Sequence, residues 1–177
     1  FITAKTRRMN ADAVWHSNRG EAAEARAAHN GAKPAKRVEA RRIESIPSFI
    51  APQLCASVDS PPRGEGWGHE IKFDGYRMQL RVEDGQISLK TRKGLDWTEK
   101  FAAIAKEARA LPDALIDGEI VALDHNGVPE FSALQASLSE GKTDKLIFFA
   151  FDLLFAEDMD LRRLPLRDRK ARLKELL

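Results

Sequence analysis

From Tyr76 onward, apolar and polar residues take turns at every second position. Tyr76, Met78, Leu80 and Val82 alternate with Arg77, Gln79 and Arg81, the period of a strand with one apolar and one polar face. Asp84-Gly85 marks a hairpin turn, after which Gln86 to Thr91 alternates again with Ile87 and Leu89 on one side. The period lengthens over Thr98 to Leu111, where Phe101, Ile104, Ala105 and Ala108 fall at i, i+3, i+4 and i+7 and predict a helix. A second strand is expected over Ala114 to Leu123, interrupted by Asp117, Gly118 and Glu119, with a turn at Asn126-Gly127. Phe131 to Leu138 reads as a short helix ended near Gly141, and Leu146 to Phe155 as a buried strand, apolar on both faces except for Asp152. Pro165 precedes a charged amphipathic helix running to Leu177, with Leu166, Leu173 and Leu176/Leu177 as its apolar contacts. Strands and helices alternate without a regular βαβ rhythm. The pattern therefore predicts an α+β fold, an antiparallel-rich sheet with flanking helices.

Upstream the pattern is lost. Residues 1–45 are rich in Ala, Arg, Lys and Glu with few large apolar side chains, too little to offset the entropy of ordering unless the segment docks on something. Glu21 to Ala28 would make a short helix that Gly31 and Pro34 end. From Ile46, Pro47, Pro52, Pro61 and Pro62 punctuate an extended segment that leads to Gly64, Gly66 and Gly68. The expected organisation is a basic, largely irregular linker or arm over 1–45 and a folded domain over 46–177. The whole chain, 177 residues and 43% hydrophobic, has room for one buried core.

Charge sharpens this division. The net charge of +2 conceals 10 Lys/Arg against 5 Asp/Glu in residues 1–45, and 19 against 22 in the remainder. A basic arm beside a balanced domain suits contact with a polyanion, and a merely solvated tether is the plainer alternative. The single cysteine, Cys55, excludes an internal disulfide and a cysteine zinc cluster and fits a reducing compartment. His16, His29, His69 and His125 lack ligand spacing. The longest apolar run, Leu146 to Phe155, is too short to span a bilayer, and no charged region precedes an apolar stretch as in a secretory signal. The chain starts at Phe1 without an initiating Met and stops inside a helical pattern, so a piece of a longer protein is expected.

Candidate chemistry centres on EIKFDGYR, Glu70 to Arg77. Lys72 is expected on a strand, with the Asp74-Gly75 bend bringing Arg77 near. An amine becomes a nucleophile at neutral pH when its ammonium form is disfavoured by burial or by adjacent positive charge, which Arg77 and a bound divalent ion would supply. The alternative is a surface lysine in an ordinary turn. Three further segments follow: TRKGLDWT (Thr91 to Thr98), LIDGEIVALD (Leu115 to Asp124) and FFAFDLLF (Phe148 to Phe155).

With these four motifs in order, residues 46–177 resemble the adenylation domain of ATP-dependent DNA ligases, most closely the ligase module of bacterial ligase D of non-homologous end joining. VWHSNR (Val14 to Arg19) makes the arm similar to the linker between the phosphoesterase and ligase modules of such proteins. The resemblance implies the N-terminal part of an ATP-grasp-like nucleotidyltransferase domain. In it, Lys72 attacks the α-phosphorus of ATP to give lysyl-AMP, and AMP then passes to a DNA 5′-phosphate at a nick or break, which is sealed. It also implies Glu70 and Ile71 at the adenine edge, Arg77 near the ribose or phosphate, and Arg92 on the 5′-phosphate of the nicked strand. Glu119 would bind the ribose hydroxyls or help place Mg2+ or Mn2+, and Phe151 would stack on adenine. The implied partners are DNA and other modules of an end-joining protein, with no membrane, in the bacterial cytoplasm at the nucleoid.

The family's second glutamate, its Lys-x-Lys strand and its C-terminal OB domain do not occur in residues 1–177, so these residues alone are expected to self-adenylate little. Read from residue type alone, Phe151 has core packing as its alternative, Asp152 a backbone cap, and Trp67 and Trp97 either satellite core packing or stacking on nucleic acid. An RNA ligase or capping guanylyltransferase shares the lysine motif, although FFAFDLLF and RKGLDWT favour the DNA ligase. A non-catalytic nucleic-acid-binding fragment, with Lys72 only a phosphate contact, is the alternative from another class.

Overall fold

Alternating side chains become strands wherever a neighbour completes the ladder. In this sheet that neighbour is close in sequence only for two hairpins, Tyr76–Glu83 with Gln86–Thr91 and Ile147–Ala156 with Met159–Asp160. The structure, a computed structural model, describes residues 2–3, 39–61 and 67–177. Among them are seven strands: β1 (Ile2–Thr3), β2 (Arg41–Arg42), β3 (Tyr76–Glu83), β4 (Gln86–Thr91), β5 (Ala114–Val121), β6 (Ile147–Ala156) and β7 (Met159–Asp160). They form one sheet in the order β2-β7-β6-β5-β3-β4, with β1 also on β6, and every pairing is antiparallel. Three helices accompany it: α1 (Ala102–Ala108), which follows a 3-10 turn at Glu99–Phe101, α2 (Phe131–Ser139) and α3 (Leu166–Leu176). This is the α+β class read from the periodicity.

The β3–β4 hairpin turns at Asp84 and Gly85, both at positive φ, as a two-residue turn matched to strand twist requires. Met78, Leu80 and Val82 on β3, Ile116 and Ile120 on β5, and Phe148 and Leu153 on β6 share one core with Phe101, Ile104 and Ala108 of the 3-10/α1 segment, Leu134 of α2 and Leu173 of α3. A smaller cluster of Ile46, Leu115, Leu154 and Phe155 lies apart from it, joined by Ile43 and Ile50.

The other face of β3 is the polar one. Its polar side chains grip the backbone of the extended lead-in segment. Glu83 accepts from the Ile46 N–H at 2.7 Å and Arg81 donates to the Ile46 carbonyl at 3.0 Å. Gln79 accepts from the Ile50 N–H at 2.8 Å and donates to the Ile50 carbonyl at 2.9 Å. Arg77 donates to the Gln53 carbonyl at 2.9 Å. Residues 46–53 thus run antiparallel to β3, held by side chains in place of a strand ladder.

Differences from the expected elements have local causes. The arm's ends contribute β1 and β2, because the far edge of β6 and the β7 hairpin offer unpaired backbone. The Glu21–Ala28 helix, VWHSNR, Gly64 and Gly66 lie outside the described residues. The predicted 98–111 helix shortens to a 3-10 turn plus α1. Leu166 and Leu177 are 46% and 45% exposed, so α3 docks through Leu173 and, in part, Leu176. The β7 hairpin was not legible because its turn residues, Glu157 and Asp158, are not the usual Gly or Asn; Glu157 sits at positive φ nonetheless.

Candidate active site

β5 carries Asp117, Gly118 and Glu119 through the middle of the sheet. Alternation puts both carboxylates on the face opposite the main core, with the glycine between them. Asp117 is buried, and Arg77, two strand residues from Gln79, pairs with it through two hydrogen bonds of 2.7 and 3.1 Å. That bidentate pair raises the Arg77 pKa further, against the opposing effect of burial. The sequence assigned no partner to Arg77; the signal available was the Asp-x-Glu spacing within an apolar strand, since a buried carboxylate needs a cation or donors beside it.

Glu119 is half-buried. Its Oε1 accepts from the Gly75 N–H at 2.9 Å, and Oε2 makes no hydrogen bond among the described residues. Desolvation raises its pKa above the ordinary glutamate value, while the Gly75 N–H, Lys72 and Arg77 pull the other way. Gly75 approaches so closely that a Cβ there would run into the Ile120 carbonyl oxygen, so the bend before β3 admits no side chain.

Lys72 is exposed, and Glu70 to Asp74 form no strand, contrary to expectation. The β3–β5 ladder ends at Tyr76↔Ile120, leaving the residues before it without a backbone partner. Contacts from other side chains hold them instead. Phe73 stacks on Phe149 of β6, ring centroids 4.4 Å apart, and Glu70 pairs with Lys170 of α3 at 2.5 Å. Together with Gly75 on Glu119, they anchor both flanks of Lys72, whose charge is one of those that oppose the rise in the Glu119 pKa.

β6 supplies the remaining wall through a register shift. Asp117 pairs with Asp152 and Gly118 with Ala150, which leaves Phe151 as an extra residue in a β-bulge. Phe151 is half-buried and belongs to neither core cluster; the Arg77 guanidinium lies 5.4 Å from its ring centroid. Core packing, the reading its apolar neighbours suggested, does not describe it. Asp152 is no backbone cap either: it takes two 2.8 Å bonds from Arg169 of α3, a partner 17 residues on that no local pattern indicates.

The structure therefore gathers Glu70, Lys72, Arg77, Glu119 and Phe151 around one end of β3, β5 and β6. Ile71 flanks them, 77% exposed. Arg92 stands apart, exposed in the tight turn closed by the Gly94 N–H on the Thr91 carbonyl (2.8 Å), with no hydrogen bond or ion pair of its own among the described residues. Trp67 is 60% exposed, whereas Trp97 packs against Tyr76 and Phe101 with Lys100 over its ring. No group of three or more His, Cys, Asp or Glu among the described residues is placed to hold a metal. Glu119 Oε2 is thus a single donor, sufficient for a hard cation only if phosphate oxygens and water complete its shell. No helix among the described residues is long and apolar enough to cross a membrane.

The site thus combines an aromatic face, a paired arginine, a half-buried carboxylate and a lysine anchored on both flanks. The family model of the ATP dependent DNA ligase domain matches residues 52–177. The multifunctional non-homologous end joining protein LigD of Pseudomonas aeruginosa is 43% identical over 153 residues, covering 85% of this chain and 18% of that protein. LigD of Mycobacterium tuberculosis is 36% identical over 112 residues, covering 62% and 14%. The chain spans less than a fifth of the length of either relative. The crystal structure of the M. tuberculosis LigD ligase domain aligns with a TM-score of 0.53 at 34% identity, covering 60% of this chain and 36% of that one. A mycobacterial DNA ligase D complexed with ATP and MES aligns at 0.52 and 33% identity, covering 60% and 35%. The chain belongs to the ATP-dependent DNA ligase family.

Proposed function

We propose that residues 46–177 are the N-terminal part of a ligase adenylation domain and that residues 1–45 link it to a preceding module of an end-joining protein. In this reading the Lys72 amine attacks the α-phosphorus of ATP. A nitrogen–phosphorus bond forms, the bond to the pyrophosphate oxygen breaks, and the amine proton is lost to solvent at this exposed position. AMP then moves from Lys72 to a DNA 5′-phosphate, and the 3′-hydroxyl displaces it to seal the strand. Phosphoryl transfer depends chiefly on positioning and on cations that offset developing charge.

Each side chain has a part suited to its surroundings. Phe151, turned outward by its bulge, offers a face for the adenine ring. Glu70 and Ile71 border the base edge. Arg77, oriented by Asp117, lies near the ribose or phosphate, and Arg92 meets the 5′-phosphate of the nicked strand. Glu119 would hold Mg2+ or Mn2+ together with phosphate oxygens, where the ion would neutralise phosphate charge. DNA would be held through its backbone and in a salt-sensitive way, in the bacterial cytoplasm at the nucleoid.

The observation that carries this reading is the anchoring of Lys72 on both flanks, by Phe73 on Phe149, Glu70 on Lys170 and Gly75 on Glu119, within a family that seals DNA. The test is incubation of the complete protein with α-labelled ATP and then nicked DNA. Covalent label is expected on the wild type and none on Lys72→Arg or Lys72→Ala. Label retained by either variant refutes the assignment.

A further inference from the structure

Lys170 bridges two pieces of the site that are far apart in sequence. Its ammonium lies 2.5 Å from Glu70 Oε1 and 2.6 Å from the Phe151 carbonyl oxygen. It therefore ties the segment bearing Lys72 to the bulge that turns out the Phe151 ring. α3 has a further anchor in the neighbouring Arg169, through its two 2.8 Å bonds to Asp152 and a 2.7 Å bond to the Leu164 carbonyl, and in buried Leu173. An ammonium carries three donors; Lys170 gives one to the Phe151 carbonyl and faces Glu70 as an ion pair.

We propose that Lys170 is a positioning residue that fixes the Glu70 carboxylate at the base edge and so sets the preference for adenine over guanine. The inference rests on the reading that Phe151 stacks on the base and Glu70 meets its edge. With Oε1 held by Lys170, Glu70 presents Oε2 in one orientation, and an ionised carboxylate only accepts hydrogen bonds. The exocyclic amine of adenine donates to such a group. The carbonyl oxygen of guanine, at the corresponding ring position, would meet its lone pairs. Without Lys170 the carboxylate turns freely and loses its counter-charge just as a base covers it. Both changes weaken nucleotide binding and neither touches the reacting phosphorus. The bond to the Phe151 carbonyl adds a second constraint, on the bulge that aims the ring.

The experiment follows lysyl-AMP and lysyl-GMP formation in the complete protein, with Lys170→Met, Lys170→Arg, Glu70→Gln, the Lys170→Met/Glu70→Gln pair, and Arg169→Gln as the comparison on the same helix. Lys170→Met should raise KM for ATP about tenfold, the worth of one charge-assisted hydrogen bond. It should leave kcat within about twofold and lower the ATP-over-GTP preference by a similar factor. Lys170→Arg should restore most of both, and the pair should lose less than the two single losses combined, because the residues share the Glu70–Lys170 contact. Arg169→Gln should lower the melting temperature with a smaller change in KM. An unchanged KM and base preference in Lys170→Met, effects that add in the pair, or losses that follow melting as in Arg169→Gln each overturn the proposal. Absence of any adduct on wild-type Lys72 refutes the functional reading instead, whatever Lys170 does.

Discussion

Gly118 sits where the sheet tolerates nothing larger. It lies between the two site carboxylates, opposite Met78 on β3 and Ala150 on β6. A Cβ at this position would be 2.6 Å from Phe148 Cε2 and 2.6 Å from the Phe149 carbonyl oxygen. Phe148 is fully buried and the carbonyl belongs to β6, so neither moves without disturbing the core or the ladder. Overpacking of this kind costs about 1–3 kcal/mol, and a double clash of this sort belongs near the top, about 3 kcal/mol. For a domain of this size that corresponds to a fall of roughly 6–12 °C in melting temperature. Gly85→Ala is the comparison: that turn glycine has φ +72° and open space around it, so only the left-handed backbone is penalised, by about 1–2 kcal/mol. Thermal melting by circular dichroism reads all of these variants. Combining Gly118→Ala with Phe148→Leu should cost less than the two changes separately, since the smaller side chain makes room. A Gly118→Ala protein that melts with the wild type, or a pair whose costs simply add, would refute this account of the site's floor.

Two more outcomes follow from the geometry. Gln79→Leu removes both bonds to Ile50 from a side chain only 4% exposed; a loss of about 2 kcal/mol is expected, with faster amide exchange at Ile50 and faster proteolysis within 46–53. Glu119 has its pKa raised by burial, so its ionised form is disfavoured in the folded state, and the stability linked to its proton is lost as pH rises through that raised value. Glu119→Gln, which mimics the protonated form and keeps an acceptor for Gly75, should therefore melt higher than wild type at neutral pH. The difference should vanish once the pH falls below the unfolded glutamate value of about 4. Equal melting of the two proteins at neutral pH would contradict it.

The sheet was legible because its information is local. Alternation at Tyr76–Val82, the Asp84-Gly85 turn and the period over Phe101–Ala108 each specify an element within a dozen residues, and the antiparallel hairpin follows from them. The motifs also named residues from three segments, Lys72 and Arg77 from one, Glu119 from the second and Phe151 from the third, and the sheet sets these segments side by side. The long-range pairings could not be read. Arg77 with Asp117, Asp152 with Arg169 and Glu70 with Lys170 join residues from 17 to 100 positions apart, and side chains of these types pair with whatever the fold brings near. The bulge at Phe151 was hidden for a related reason: β6 is apolar on both faces, so one extra residue leaves no break in its pattern. Lys72 was misplaced on a strand because EIKF alternates plausibly, although no ladder extends that far.

The grip of β3 on residues 46–53 is made entirely with main-chain atoms of the held segment. Arg77, Gln79, Arg81 and Glu83 reach carbonyls at 46, 50 and 53 and amides at 46 and 50. The two prolines in this stretch, Pro47 and Pro52, fall where no amide is used. The exposed side chains along this path, Ser48, Ala51 and Gln53, can therefore be exchanged without loosening it, and only a proline at 46 or 50 would be excluded by the hydrogen bonding itself. Variation among homologues should collect on the tethered stretch, while the four gripping positions on the strand beneath it should change little.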